Sequence, residues 1–252
     1  MDLQKKLTDK LLSQTFSADD RDAEARLETH RTTALAYART ENAVAVLSDM
    51  RTDTSYICYG GMAETLGLSR KNTVQNIGSI WEEKIFDRIH PDDLIEKHAR
   101  ELRFFHFLKK IPPEKRTDYY ITSLIRMKDN AGKFHPVTHR MFYVDSTYDG
   151  SIWLALCLYS LSAGDKTEGG TIIDSSDGSC VAAGPQACSD LLSQREKEIL
   201  RLIGEGRASK DISQLLHISI NTVNRHRQNI LARLRAANSV QAYQIAKELG
   251  LL

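Results

Sequence analysis

Four polar side chains near the C-terminus, Asn221, Asn224, Arg225 and Gln228, follow one another at i, i+3, i+4 and i+7. On a helix this spacing places them on one face. Val223, Ile230, Leu231 and Leu234 form a separate apolar stripe on the same stretch. Arginine can make two hydrogen bonds to guanine, and asparagine or glutamine two to adenine, so a helix face of this composition can read base edges in a major groove. The stretch 219–235 also holds four arginines, Arg225, Arg227, Arg233 and Arg235, and no acid.

The flanking residues supply elements to position such a face. Ser193 with Glu196 reads as a capping box opening a first helix, with Ile199, Leu200, Leu202 and Ile203 as its apolar positions and a glycine-rich close at 204–206. A short second helix over about 209–216 turns Ile212, Leu215 and Leu216 inward, and His217-Ile218-Ser219 makes a tight turn. Ser219 caps a third helix running to about 235. Asn238 with Gln241 resembles another box, opening a fourth helix that ends at Gly250. A long helix directly after a short helix and a tight turn has helix-turn-helix geometry.

Charge agrees with this reading. The 252 residues carry 34 Lys/Arg against 33 Asp/Glu, a net +1. From Asp190 onward there are ten basic and six acidic residues, a net +4, which leaves 24 against 27 elsewhere. A basic tail behind a mildly acidic body is the distribution expected of a nucleic-acid-binding domain. A protein-interaction module with a solvated basic face is the alternative.

The segment LSQREKEILRLIGEGRASKDISQLLHISINTVNRHRQNILARL, followed by ANSVQAYQIAKELGLL, resembles the LuxR-type helix-turn-helix domain of bacterial transcription factors. Leu192, Ser193, Glu196, Leu200, Gly206, Ile212, Val223, His226, Leu234 and Ala242 are among the positions in register. The resemblance implies that the third helix recognises double-stranded DNA and that the fourth serves dimer contacts. It implies base reading by Asn224, Arg225 and Gln228. Lys210, Ser219, Thr222 and Arg227 match positions that hold phosphates or fix the helix on the DNA backbone, and Asn221 is grouped with this positioning set. Asn224 stands where lysine is frequent, which implies a different base preference. Arg235 replaces a common helix-ending glycine, and Ala208 a hydroxyl cap for which Ser209 is the expected substitute.

The remainder of the chain reads differently. Residues 1–42 are helical, either a solvated pair packed on the adjoining domain or a dimerisation segment. From 43 come two strand-like runs, AVAVLSDM and SYICYG, then a loop-rich stretch ending in IFDRIHPDDL. Pro91, Asp92 and Asp93 suit the start of a longer helix, which Pro112 and Pro113 stop. Three strand-like runs come next: YYITSLIRM, KFHPVTHRMFYVD and SIWLALCLYSL. Pro136 in the second suits an edge or irregular position. The third is apolar on both alternate sets and so belongs mid-sheet. This order, with IHPDDL and RMKDNAGKFHPV, resembles a PAS domain over 43–163 and implies an α+β fold with a five-stranded antiparallel sheet. Residues 164–188 read as a linker with a small hairpin around Asp177-Gly178, and 189–252 as the DNA-binding domain.

Other chemistries find little support. Cys58, Cys157, Cys180 and Cys188 make no CxxC pair, so a zinc ribbon or finger is not expected. His90, Asp92 and Asp93 resemble metal ligands on paper but are better explained by a helix start. His98 and His106 lie on the long helix and are read as structural rather than haem ligands. There is no phosphate-binding loop, no alternating receiver-domain pattern and no nucleophile–base pair at interpretable spacing. The expectation is therefore a regulator without catalytic residues, metal or cofactor. The N-terminal sequence MDLQKKLTDK lacks the apolar run of a signal peptide, and no window has the length of a membrane span. The expected setting is the reducing cytoplasm, with no membrane partner. The expected partners are DNA, a second copy of the chain, and a small-molecule ligand or protein at the PAS-like domain. The competing reading is a signalling adaptor that works through protein contacts and binds DNA weakly and without specificity.

Overall fold

The computed structural model describes residues 3–16, 22–162, 171–181, 192–234, 236–248 and 251–252. Contacts divide the chain into two units. One comprises Asp9–Leu94 and Leu108–Ala182, the other Met1–Thr8, Ile95–Phe107 and Ala183–Leu252.

The first unit is built on an antiparallel sheet. Its strands are β1 (Val44–Asp49), β2 (Thr54–Tyr59), β3 (Thr73–Ile77), β4 (Tyr119–Lys128), β5 (Phe134–Ser146), β6 (Ile152–Leu161), β7 (Thr171–Asp174) and β8 (Cys180–Val181). They lie in the order β3-β2-β1-β6-β5-β4-β7-β8. The five strands read from the sequence are contiguous within it, but among the described residues the sheet has eight strands, not five. The loop-rich stretch contains β3, which pairs with β2 from Ser55↔Ile77 to Tyr59↔Thr73. The hairpin β7–β8 turns at Gly178, whose φ of 74° is the left-handed conformation that glycine accommodates, and β7 pairs with β4. The linker expected at 164–188 otherwise falls on 164–170 and 182–188, outside the described residues.

β6 is paired on both sides, with β1 and with β5, and Ile152 through Tyr159 are all buried. A strand apolar on both faces has nowhere else to go. Pro136 is not on an edge strand, since β5 lies between β4 and β6. The Pro136 carbonyl accepts from Ser162 N–H, just past the end of β6. Its ring nitrogen therefore faces the side where the β6 ladder has finished, and no strand bond is lost.

Two helices precede the sheet, α1 (Leu3–Leu12) and α2 (Ala23–Thr40). α2 covers one sheet face through Ala23, Ala34 and Ala38, which pack with Ala45, Leu47, Cys58, Leu156 and Leu158. Small residues let the helix approach closely. Trp153 is buried in the same layer. Its indole N–H donates to Asp49 Oδ1 at 2.8 Å, and the guanidinium groups of Arg26 and Arg51 lie 4.9 and 5.0 Å from its ring centre. Two such cation–π contacts contribute about 0.5–2 kcal/mol each. Arg26 and His30 also pair with Asp145 of β5, and Glu41 at the end of α2 with Arg140.

Between β2 and β4 lie α3 (Met62–Thr65), α4 (Glu83–Phe86) and α5 (Pro91–Leu108). Asp93 at the start of α5 accepts from both the backbone N–H and the guanidinium of Arg126, at 2.7 and 2.6 Å. His90 Nδ1 lies 3.2 Å from the same guanidinium. These residues thus tie a helix start to β4.

The second unit contains α6 (Gln194–Gly204), α7 (Ser209–Leu215), α8 (Ile220–Leu234) and α9 (Ser239–Glu248). α8 packs against the other three, and α6 against α9. Ile199, Leu200, Ile212, Val223, Ile230, Leu234, Ala242 and Ile245 are buried. A Cβ on Gly204 would fall 2.1 Å from the Tyr243 ring, so α6 and α9 meet at a contact that only glycine admits. In the part of α5 belonging to this unit, buried Lys97 and Glu101 form an ion pair at 2.7 Å. Burial, followed by the charge of Lys97, pushes the pKa of His98 down to about 3. None of the described helices is long and apolar enough to cross a membrane.

Candidate nucleic-acid interface

Each turn that aims α8 has a sequence-encoded cap. α6 opens with a complete capping box: Ser193 Oγ accepts from Glu196 N–H at 3.3 Å, and Glu196 Oε2 accepts from Ser193 N–H at 2.8 Å. α6 closes through Gly206, at φ 81°, with Arg207 N–H donating to Leu202 and Gly206 N–H to Ile203. α7 closes in the same pattern around His217, at φ 51°, with Ile218 N–H donating to Ser213 and His217 N–H to Gln214. Both are Schellman closures, and the second is the tight turn of the helix-turn-helix. Ser219 Oγ then accepts from Thr222 N–H at 3.0 Å and caps α8.

On this frame Asn221, Asn224, Arg225 and Gln228 are all exposed, and their helical spacing keeps them on one face. Lys210 is exposed in the first turn of α7, and Ser219 and Thr222 hold the start of α8. The first turns of α8 and α9 contain no acid. Val223, Ile230 and Leu234 are buried on the opposite side of α8.

Three other arginines of these helices, Arg227, Arg233 and Arg195, are used within the fold. Arg227 donates to Ser209 Oγ at 3.1 Å and to Ser239 Oγ at 3.0 Å, joining α8 to the first residues of α7 and α9. Arg233 donates to Glu196 Oε2 at 2.7 Å, so the carboxylate that caps α6 also anchors α8. Arg195 ties α6 to the end of α7 by donating to the Leu216 carbonyl. Arg225, in contrast, is exposed and has no partner among the described residues.

Several expectations need correction. Ser209 does not replace the missing cap of α7, because its hydroxyl is taken by Arg227. Asp211 instead accepts from Ala208 N–H at 3.3 Å, which is half of a box. Leu215 is not inward but 54% exposed. The box at α9 is altered: Asn238 Oδ1 accepts from Gln241 N–H, but Gln241 Oε1 accepts from Ala237 N–H. Glu196, read as a cap, is also buried and ion-paired. Arg235 and Gly250 lie outside the described residues. Two exposed apolar residues escape the sequence reading, Ile220 in the first turn of α8 and Val240 in that of α9. An apolar residue beside capping hydroxyls in a first turn is the signal that marks them.

Residues 190–246 match the profile of the bacterial regulatory proteins of the luxR family. The transcriptional activator protein SolR of Ralstonia nicotianae is 45% identical over 64 residues, 25% of this chain and 27% of SolR. The regulatory protein SdiA of Escherichia coli is 45% identical over 60 residues, 24% of this chain and 25% of SdiA. The matched region is thus about a quarter of the length of these curated relatives, a transcriptional activator and a regulatory protein. The C-terminal helices are a LuxR-type helix-turn-helix domain. A solved complex of phage VqmA with DPO aligns over 93% of this chain and 91% of its own, with 16% identity and a TM-score of 0.30, too low to infer shared architecture.

Proposed function

We propose that this chain is a sequence-specific DNA-binding transcriptional regulator of the cytoplasm, with α8 in the major groove and control exerted through a PAS-like N-terminal domain. The observation that carries this reading is the exposed Asn221, Asn224, Arg225 and Gln228 face on a helix whose Arg227 and Arg233 are held inside the fold. Base reading falls to Asn224, Arg225 and Gln228, which offer bidentate geometry to adenine and guanine. Lys210, Ser219, Asn221 and Thr222 hold phosphates, and Arg227 fixes α8 in place. The functional boundary lies near residue 189.

Val240, Gln244 and Lys247 share an exposed face of α9 at i, i+4 and i+7. This face is assigned to a second copy of the chain. A two-fold dimer places two recognition helices on a two-fold DNA site. The contiguous strands β2-β1-β6-β5-β4 under α2 support the PAS-like reading, and ligand or partner binding there is the control.

Selection of DNA from a random pool by the full-length protein tests the function. The expected result is enrichment of one inverted-repeat motif, bound at least about a thousandfold more tightly than scrambled DNA. No enrichment, with equal binding to scrambled DNA at low salt, overturns the reading in favour of an adaptor.

A further inference from the structure

The sheet unit contains a pocket of about 190 Å³ under its β2–β3 edge, closed by α4 and the residues before it. Tyr56 packs toward α2 with Cys58, so the alternate residues Ile57 and Tyr59 turn to the other face and line this pocket. Ile57, Ile77, Trp81 and Ile85 form its apolar wall.

The polar part of the wall is built from buried groups. Glu82 is 4% exposed and Tyr59 3%. A carboxylate removed from water this far must be hydrogen-bonded, and Tyr159 OH donates to Glu82 Oε1 at 2.9 Å. Tyr59 OH donates to Gln75 Oε1 at 3.0 Å, which leaves the Gln75 amide nitrogen as a donor. Burial first, and the Glu82 charge second, push the Tyr59 phenol upward, so the negative charge is felt at this wall. Glu83 also lines the pocket, against Lys84 alone of opposite sign.

Size and charge limit the occupant. A protein cavity of about 150 Å³ holds benzene, so this pocket takes a molecule of one ring or equal bulk with one substituent. A long acyl chain would extend beyond the pocket into water, and an anion meets Glu82.

We propose that this pocket binds a neutral or cationic, single-ring-sized organic molecule whose one polar end donates to Glu82 and accepts from the Gln75 amide. The proposal rests on the reading of the sheet unit as the sensing part of the protein.

The test is calorimetric titration of the full chain with three probes: benzamide, its anionic isostere benzoate, and octanamide. Benzamide is expected to bind saturably, one to one. Benzoate is expected to be at least about tenfold weaker because its carboxylate meets a buried one, and octanamide is expected not to bind. Ile77→Trp, which fills the pocket from half-exposed edge strand β3, abolishes benzamide binding. Gln75→Leu weakens it about tenfold by removing the amide and decides the matter if Ile77→Trp does not fold. Absence of saturable benzamide binding, equal binding of benzoate, or undiminished binding by folded Gln75→Leu overturns the proposal. DNA selection on the same preparation keeps the two readings apart: an empty pocket with intact selection refutes only the ligand site, and a filled pocket without selection refutes only the DNA reading.

Discussion

Arg225 and Lys210 carry similar charge, but in the proposed function their places on α8 and α7 give them different work. Arg225 is exposed on the polar face of α8, and a bidentate contact to guanine is worth about 1–3 kcal/mol of discrimination. Arg225→Ala should therefore lower the ratio of cognate to scrambled DNA affinity by that amount. Lys210→Ala should weaken binding to all sequences equally and reduce the salt slope by about one. Fluorescence anisotropy on both DNAs at several salt concentrations checks this, and equal losses for Arg225→Ala on the two DNAs would reject base reading. His217 presents a conformational question instead. Its φ of 51° is tolerable for histidine but poor for a β-branched residue. His217→Val should destabilise the unit by about 1–2 kcal/mol, while His217→Gly should cost little, as measured by urea unfolding. At this scale the exposed face was legible because helical periodicity displays it. The engagement of Arg227 and Arg233 was not, because their partners Ser209, Ser239 and Glu196 stand 12 to 37 positions away.

Among the elements, the C-terminal helices were legible where a boundary has a local cause: a box at Ser193, a left-handed glycine at 206, a capping serine at 219, whereas α7 starts at Ala208 without a side-chain cap. β3 was missed because TVQNI is short and half-exposed on every alternate residue, leaving no apolar run to read. Packing of α2 on the adjoining domain was one of two readings left open, because alanines bury well but give a weak apolar period. Glu196 joins two elements and should be the costliest cap to lose. Glu196→Ala removes the box and leaves Arg233 without its buried partner. It should cost about 2–3 kcal/mol, against about 1 kcal/mol for Ser193→Ala, in matched denaturant titrations. α5 should show the pH response. His98 has a folded pKa of about 3, below its ordinary 6.5, so it stays neutral in the fold while the unfolded chain takes up a proton. Its contribution is full above pH 6.5 and is lost as pH falls from there toward 3. His98→Leu should lose less stability between about pH 7 and pH 5 than the native chain does, measured by chemical unfolding at both pH values.

For the whole molecule, the two units answer different physical demands. In the helical one, Arg227 and Arg233 tie α8 to its neighbours through Ser209, Ser239 and Glu196, while Asn221, Asn224, Arg225 and Gln228 stay exposed. The sheet one provides a buried interior with polar groups, as recognition of a small molecule requires. The basic excess that begins near Asp190 marks the C-terminal helices, but the grouping of 1–8 and 95–107 with the C-terminal part is not legible in composition. The hairpin around Asp177-Gly178 was legible from its turn, but its pairing with β4 was not, because no local signal fixes a contact about fifty residues away.

The strand order also bears on handling the protein at high concentration. A sheet is vulnerable to edge-to-edge stacking in proportion to the length of its outermost strands. Here the two flanks end in strands of five and two residues, β3 and β8. β4 is ten residues long and carries Tyr119, Tyr120 and Ile121 where β7 pairs with it. A fragment ending after β6 would strip that cover and leave a long aromatic flank open to copies of itself. Such a fragment should form light-scattering aggregates at concentrations where one extended through β8 stays clear. The short hairpin thus acts as a guard against self-association.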